Sequence, residues 1–163
     1  MGSAQFSGMS DKTPSQPVPV SRSLIGTWKL LSRVDCNRAG VQLAEPSLGS
    51  DPIALLVFDG DGNFFAQFMR RDPGAPAGDE GGVAPTNNSR ARGGYDAYFG
   101  TYVTDDATGI VTTRLVGALS REYVGQDFIR HVTVEGDTLT LRLDTQSPHG
   151  EPVVRTLTWK RAG

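Results

Sequence analysis

The side chains able to do chemistry are few and scattered along this chain. It has two histidines, His131 and His149, and one cysteine, Cys36. Tyr98, Tyr102, Gln67, Arg114, Arg130 and His131 fall in stretches that read as strands, where alternation can turn some of them inward. Arg130 and His131 are sequence neighbours, so only one of the two can face a given side. A Tyr or His exchanging a proton, with Gln67 or an arginine stabilising developing negative charge, would suit acid–base catalysis in a dry pocket. Glu122 and Asp127 flank the entry to one strand and could orient such a group, although solvated turn carboxylates are the simpler reading.

Other chemistries lack their residues. A metal site needs clustered ligands, whereas His131 stands alone on a predicted strand and His149 lies in a Pro/Gly loop, so no metal is expected. A nucleophilic Cys36 would need a nearby His, and nothing in the sequence places one. It reads instead as a small half-buried side chain, and a lone cysteine allows no intrachain disulfide. Asp59-Gly60-Asp61-Gly62-Asn63 resembles the start of a calcium loop, but the positions needing Gly and Glu are Phe64 and Arg70. It is expected to be a hairpin turn. No nucleophile elbow, phosphate loop or dinucleotide fingerprint occurs, and no cofactor is expected. The sequon Asn87-Asn88-Ser89 is expected to carry no glycan, because no apolar secretory core precedes it.

The composition suggests what must position such groups. The 163 residues fit one domain with a core of its own. Twenty glycines and ten prolines, with 37% apolar residues, favour short strands and turns over a helical bundle. The net charge is −2, with no basic block, so nucleic-acid binding has no electrostatic basis. No apolar run or basic amphipathic helix suggests a membrane, and a cytoplasmic location is expected. Residues 1–20, with Pro14, Pro17 and Pro19, read as a disordered leader, whose first eight residues resemble an expression remnant.

Ordered structure is expected from near Ser21, with Ser23 capping a short helical turn through Leu24 and Ile25. Eight strands follow: 26–34, 53–58, 63–70, 98–104, 110–119, 125–134, 138–143 and 153–160. In the first, simple alternation puts Trp28, Leu30 and Val34 on one face and Lys29 and Arg33 on the other. In the third, Phe65, Gln67 and Met69 oppose Phe64, Ala66 and Phe68, and both faces are largely apolar. That double apolarity leaves room for a homodimer contact. The stretch 71–94, with three prolines and six glycines, reads as a long irregular loop, either a lid or a plain mobile connection. Most strands are joined by short turns, which suits an all-β, eight-stranded, up-and-down antiparallel barrel.

Gly26-Thr27-Trp28-Lys29-Leu30 resembles the opening of lipocalins and fatty-acid-binding proteins. Ala66–Arg71, Tyr98-Phe99-Gly100-Thr101-Tyr102, Val124-Gly125, Arg130, Gly136–Leu141 and Leu157–Arg161, in that order, resemble the microbial lipocalin-like domain family over roughly Leu24 to Arg161. The resemblance implies a barrel with a ligand cup, and for some members an association with secondary metabolism. It departs from the family at Thr112-Thr113-Arg114, where many relatives carry histidines. The expected function is to bind a small hydrophobic or amphipathic molecule. The alternative is a cofactor-independent enzyme of cyclase, isomerase or hydrolase type. An inward Arg would call for a carboxylate or an anionic ligand, the arrangement fatty-acid carriers use. The candidate lining is Phe65, Gln67, Met69, Tyr98, Tyr102, Arg114, Arg130 and His131.

Overall fold

Short polar turns separate strands whose side chains alternate between core and solvent, so each strand pairs with the next and the last returns to the first. The structure is a computed structural model describing residues 18–72 and 82–163. The leader up to position 17 and the part of the irregular loop at 73–81 lie outside the described residues. A helical turn α1 (Val20–Ser23) precedes β1 (Gly26–Cys36), the short β2 (Gln42–Leu43), β3 (Ile53–Phe58) and β4 (Asn63–Met69). Then come β5 (Tyr95–Asp105), β6 (Ile110–Ala118), a 3-10 turn at Arg121–Tyr123, β7 (Asp127–Glu135), β8 (Thr138–Gln146) and β9 (Pro152–Arg161). The antiparallel order is β1-β3-β4-β5-β6-β7-β8-β9, with β9 pairing back onto β1 and β2 added beside β1. This is the closed eight-stranded up-and-down barrel of the sequence reading with one extra strand, and closure leaves no long unpaired edge.

One end is sealed. Trp28 is fully buried, and its Nε1 donates to Leu24 O at 2.9 Å. The Arg161 guanidinium lies 4.2 Å from the centre of a Trp28 ring and donates to Ile25 O and Ser23 O. Gly26 makes this possible, because a Cβ there would sit 2.7 Å from Arg161 Nη1 and its φ is +140°. The helical turn comes earlier than expected: Ser23 is its last residue, not its N-cap. Pro19 takes the N-cap position with no side-chain bond.

Two irregularities decide which side chains enter the barrel. Between Leu30 and Ser32 the register of β1 against β9 slips by one residue. The resulting bulge reverses the alternation, so Trp28 and Leu30 point inward before it and Arg33 and Asp35 after it. This corrects the simple alternation, which put Arg33 with Lys29 on the outside. A second slip between Phe99 and Gly100 keeps β5 and β6 close enough that a Cβ on Gly100 would lie 1.8 Å from Arg114 O. No other residue fits there.

The core runs through the barrel as a train of aromatic contacts. Phe58 meets Phe64, Phe64 meets Tyr98, and Tyr98 meets both Phe68 and Phe128 at centroid separations of 5.9–6.4 Å. Phe68 meets Trp159 edge-on at 5.9 Å. Such edge and tilted pairs add about 0.5–1.5 kcal/mol each beyond area burial.

Candidate functional site

The barrel opens at the end where β1, β4 and β8 finish and β5, β7 and β9 begin. Inward positions near the closed end carry apolar side chains, and those near the open end carry charges. The cup between them has a volume of about 110 Å³. Its apolar wall includes Phe64, Ala66, Phe68, Leu141, Leu157 and Trp159, and the loops 43–48, 82–91 and 146–148 ring its mouth.

Arg33, Arg130 and Arg155 enter the cup from the strands, and Arg90 lines its rim with Nη2 donating to Gly82 O at 2.7 Å. Arg155 makes a two-point pair with Asp35, Nε to Oδ1 at 2.7 Å and Nη2 to Oδ2 at 2.9 Å, and the two residues face each other across the β1–β9 ladder. Arg33 Nη1 meets Glu45 Oε2 at 2.7 Å. Burial works against the Glu45 charge, but Arg33 and the bonds from Ser47 and Leu48 outweigh it and hold the carboxyl at about 2. Arg130 has no carboxylate within ion-pair range among the described residues. Its Nη1 donates to Asn87 O at 2.8 Å and Ile129 O at 3.1 Å, and its Nη2 to Asn88 Oδ1 at 3.3 Å. The guanidinium stacks 5.0 Å from the Phe128 ring centre, beside the Tyr98 hydroxyl. Burial lowers its pKa despite that hydroxyl, and burial raises the pKa of Tyr98.

The partners of Arg130 come from a strap formed by residues 82–92. In the ladder between β7 and β8, pairing stops at His131 and Arg142 toward the open end. Asn87 fills the gap beyond. Its Nδ2 donates to Ile129 O at 3.2 Å and to Asp144 O at 3.0 Å, and its Oδ1 accepts from Ile129 N at 2.7 Å. Thr145 Oγ1 donates to Thr86 O, Gln146 Nε2 to Ala84 O and Tyr123 Oη to Pro85 O. The sequon asparagine is therefore a structural wedge with its amide in use.

Asp96 is the most unusual group. It is buried in the cup wall, and its Oδ2 accepts from the Ser89 hydroxyl. Its Oδ1 has no hydrogen-bond partner among the described residues. Burial dominates and raises its carboxyl to about 6, against the opposing pull of Ser89, the Ala97 N–H, Arg33 and Arg155. Trp159, also in the wall and buried, has an Nε1 donor without an acceptor among the described residues. A buried polar atom left unpaired costs about 1–3 kcal/mol, so both atoms point to an occupant.

Of the eight candidate lining residues, Tyr98 and Arg130 line the cup. Phe65, Gln67 and Met69 lie on the outer face, with Phe65 36% and Met69 40% exposed and Gln67 accepting from Tyr95 Oη at 3.2 Å. Their neighbours Phe64, Ala66 and Phe68 face inward. Arg114 is outside, paired with Asp127 at 2.8 Å, because the inward position beside it is Thr113. His131 takes the outer position next to the inward Arg130. Tyr102 sits below the cup at the closed end, edge-on to Phe58 with its hydroxyl donating to Asp59 O at 2.5 Å. Glu122 pairs with Arg92 at the surface. The Asp59 carboxylate is occupied by the backbone N–H groups of Asp61 and Asn63.

Sequence comparison agrees with this architecture. The profile of the lipocalin-like domain family matches residues 25–162, from the residue before β1 to the residue after β9. The chain belongs to the lipocalin-like domain family. No curated protein matches it. No helix among the described residues of this lipocalin-like barrel is long and apolar enough to cross a membrane. A lipocalin-like barrel fits the binding of small hydrophobic ligands in general.

Proposed function

We propose that this lipocalin-like barrel binds one small amphipathic molecule in its cup. One observation carries the reading: the inner side chains leave about 110 Å³ between an aromatic and aliphatic floor and a polar mouth. An engineered apolar cavity of roughly 150 Å³ admits benzene, so the free volume suits a single-ring compound better than a long acyl chain. The lining assigned to it is Phe64, Ala66, Phe68, Tyr98, Asp96 and Trp159, with Arg130 fixing the rim.

Titration calorimetry with toluene tests the reading. One site per chain is expected in the native protein and none in Ala66→Phe, whose ring fills the cup. Equal binding by the two proteins would contradict it.

A second reading, acid–base catalysis on the same molecule without a cofactor, is favoured by Asp96. A carboxyl raised to about 6 by burial, in a residue of the cup wall, can take and return a proton at neutral pH. Its test is α-proton exchange of cyclohexanone in D2O, faster with the protein than with Asp96→Asn. No difference between the two would rule it out.

The outer face of β4–β6 exposes Phe65, Phe99, Val103 and Val116, and we extend the proposal to a homodimer through this face. A dimer in sedimentation that Phe99→Lys dissociates supports it, and a monomer at all concentrations opposes it.

A further inference from the structure

Two of the arginines lining the cup are already neutralised by the protein. Arg155 and Arg33 are neutralised by Asp35 and Glu45. Arg130 spends its Nη donors on Asn87 O, Ile129 O and Asn88 Oδ1. Arg90, at the rim, donates to Gly82 O at 2.7 Å. The groups that do lack partners among the described residues are one acceptor, Asp96 Oδ1, and one donor, Trp159 Nε1. Both belong to the wall of the same cavity. Phe68 connects them, since it faces Asp96 across the β4–β5 ladder and meets the Trp159 ring at 5.9 Å.

We propose that the cup selects a neutral aromatic molecule of the phenol class. Its hydroxyl donor binds Asp96 Oδ1, and an acceptor oxygen on it receives Trp159 Nε1–H. The inference rests on the small-molecule reading above and names the ligand chemistry. Three features favour it. The walls nearest the two atoms are aromatic, and a ring can repeat the edge and tilted contacts already present among Phe64, Phe68, Tyr98 and Trp159. A hydroxyl is the smallest group that both donates and accepts, which a volume of about 110 Å³ demands. A carboxylate ligand would bring a negative charge against Asp96, which repels it. At pH 7 the Asp96 carboxyl is mainly ionised, and a hydroxyl donating to a carboxylate makes a strong bond.

The test is titration calorimetry of the full chain at pH 7 with toluene, phenol and benzoate, which share a ring and differ in the polar group. Phenol is expected to bind about tenfold more tightly than toluene, the return on one charge-assisted hydrogen bond, with benzoate weakest. Asp96→Asn and Trp159→Phe should each reduce phenol affinity about tenfold. A cooperative urea transition in each variant shows that it is folded. Benzoate binding best, or phenol binding no better than toluene, overturns the proposal and leaves the binding reading standing. Failure of all three to bind overturns both.

Discussion

Replacing Asp96 with asparagine should stabilise the protein, and the gain should depend on pH. The native carboxyl is raised from its ordinary 3.8 to about 6, chiefly by burial. An acid whose folded pKa is raised contributes stability that is fully present below the unfolded value and is lost as pH rises through the folded one. Above pH 6, keeping Asp96 ionised in the wall therefore costs about 3 kcal/mol, since the pKa rises by about two and each tenfold change in proton affinity is about 1.4 kcal/mol. Asparagine is nearly isosteric, cannot ionise and retains an oxygen for the Ser89 hydroxyl. Its own packing cost is the same at every pH, so the change between pH 4 and pH 8 isolates the charge. Because the unfolded acid is already partly ionised at pH 4, that change is about 2–3 kcal/mol. Urea denaturation of both proteins at the two pH values measures it. Asp96→Asn should gain on the native protein from pH 4 to pH 8 by that amount. A difference that is flat with pH, or of opposite sign, would refute the claim that the cup holds an ionised carboxylate at the expense of stability.

Other consequences follow from the mouth and its strap. Glu45 is depressed to about 2, so its pairing with Arg33 stabilises the fold above about pH 4.5 and is lost as pH falls toward 2. Glu45→Gln should remove about 3 kcal/mol of that acid dependence in the same denaturation series. Asp35→Ala leaves Arg155 buried without its partner and should cost about 3–5 kcal/mol, most of which Asp35→Leu/Arg155→Met should restore. Asn87→Ala removes the wedge between β7 and β8. It should lower stability by about 1–3 kcal/mol and speed hydrogen exchange of the Ile129 amide, which donates to Asn87 Oδ1. An unchanged Ile129 exchange rate would show that the strap does not hold that strand.

The barrel was legible because its signals are local. Glycine- and aspartate-rich turns and alternating side chains placed all eight long strands, and Ile53–Phe58 was bounded to the residue. Some of the ends facing the mouth were drawn short, as at Tyr95–Ala97, because polar or small residues there continue a ladder that only pairing partners reveal. The lining was harder to read. On β4 both faces are apolar, and the inward set is chosen by register: Phe58 opposite Phe64 in one ladder and Gly26 opposite Phe58 in the other. On β1 a single inserted residue turned Arg33 and Asp35 inward, and an alternation count carries no mark of a bulge. Asp96 did leave a signal, since it shares parity with Tyr98 and Gly100 on one strand. The strap did not: Asn87 bonds to residues more than forty positions away.

The central claim, that a small molecule enters this cup, is tested most directly at the two indole N–H groups. Trp159 lies in the cup wall, its Nε1 without a partner among the described residues, whereas Trp28 Nε1 is bonded to Leu24 O at the sealed end. In a two-dimensional NMR titration with phenol, the Trp159 indole resonance should move and saturate while that of Trp28 stays fixed. Movement of neither resonance, or of Trp28 alone, would contradict the account.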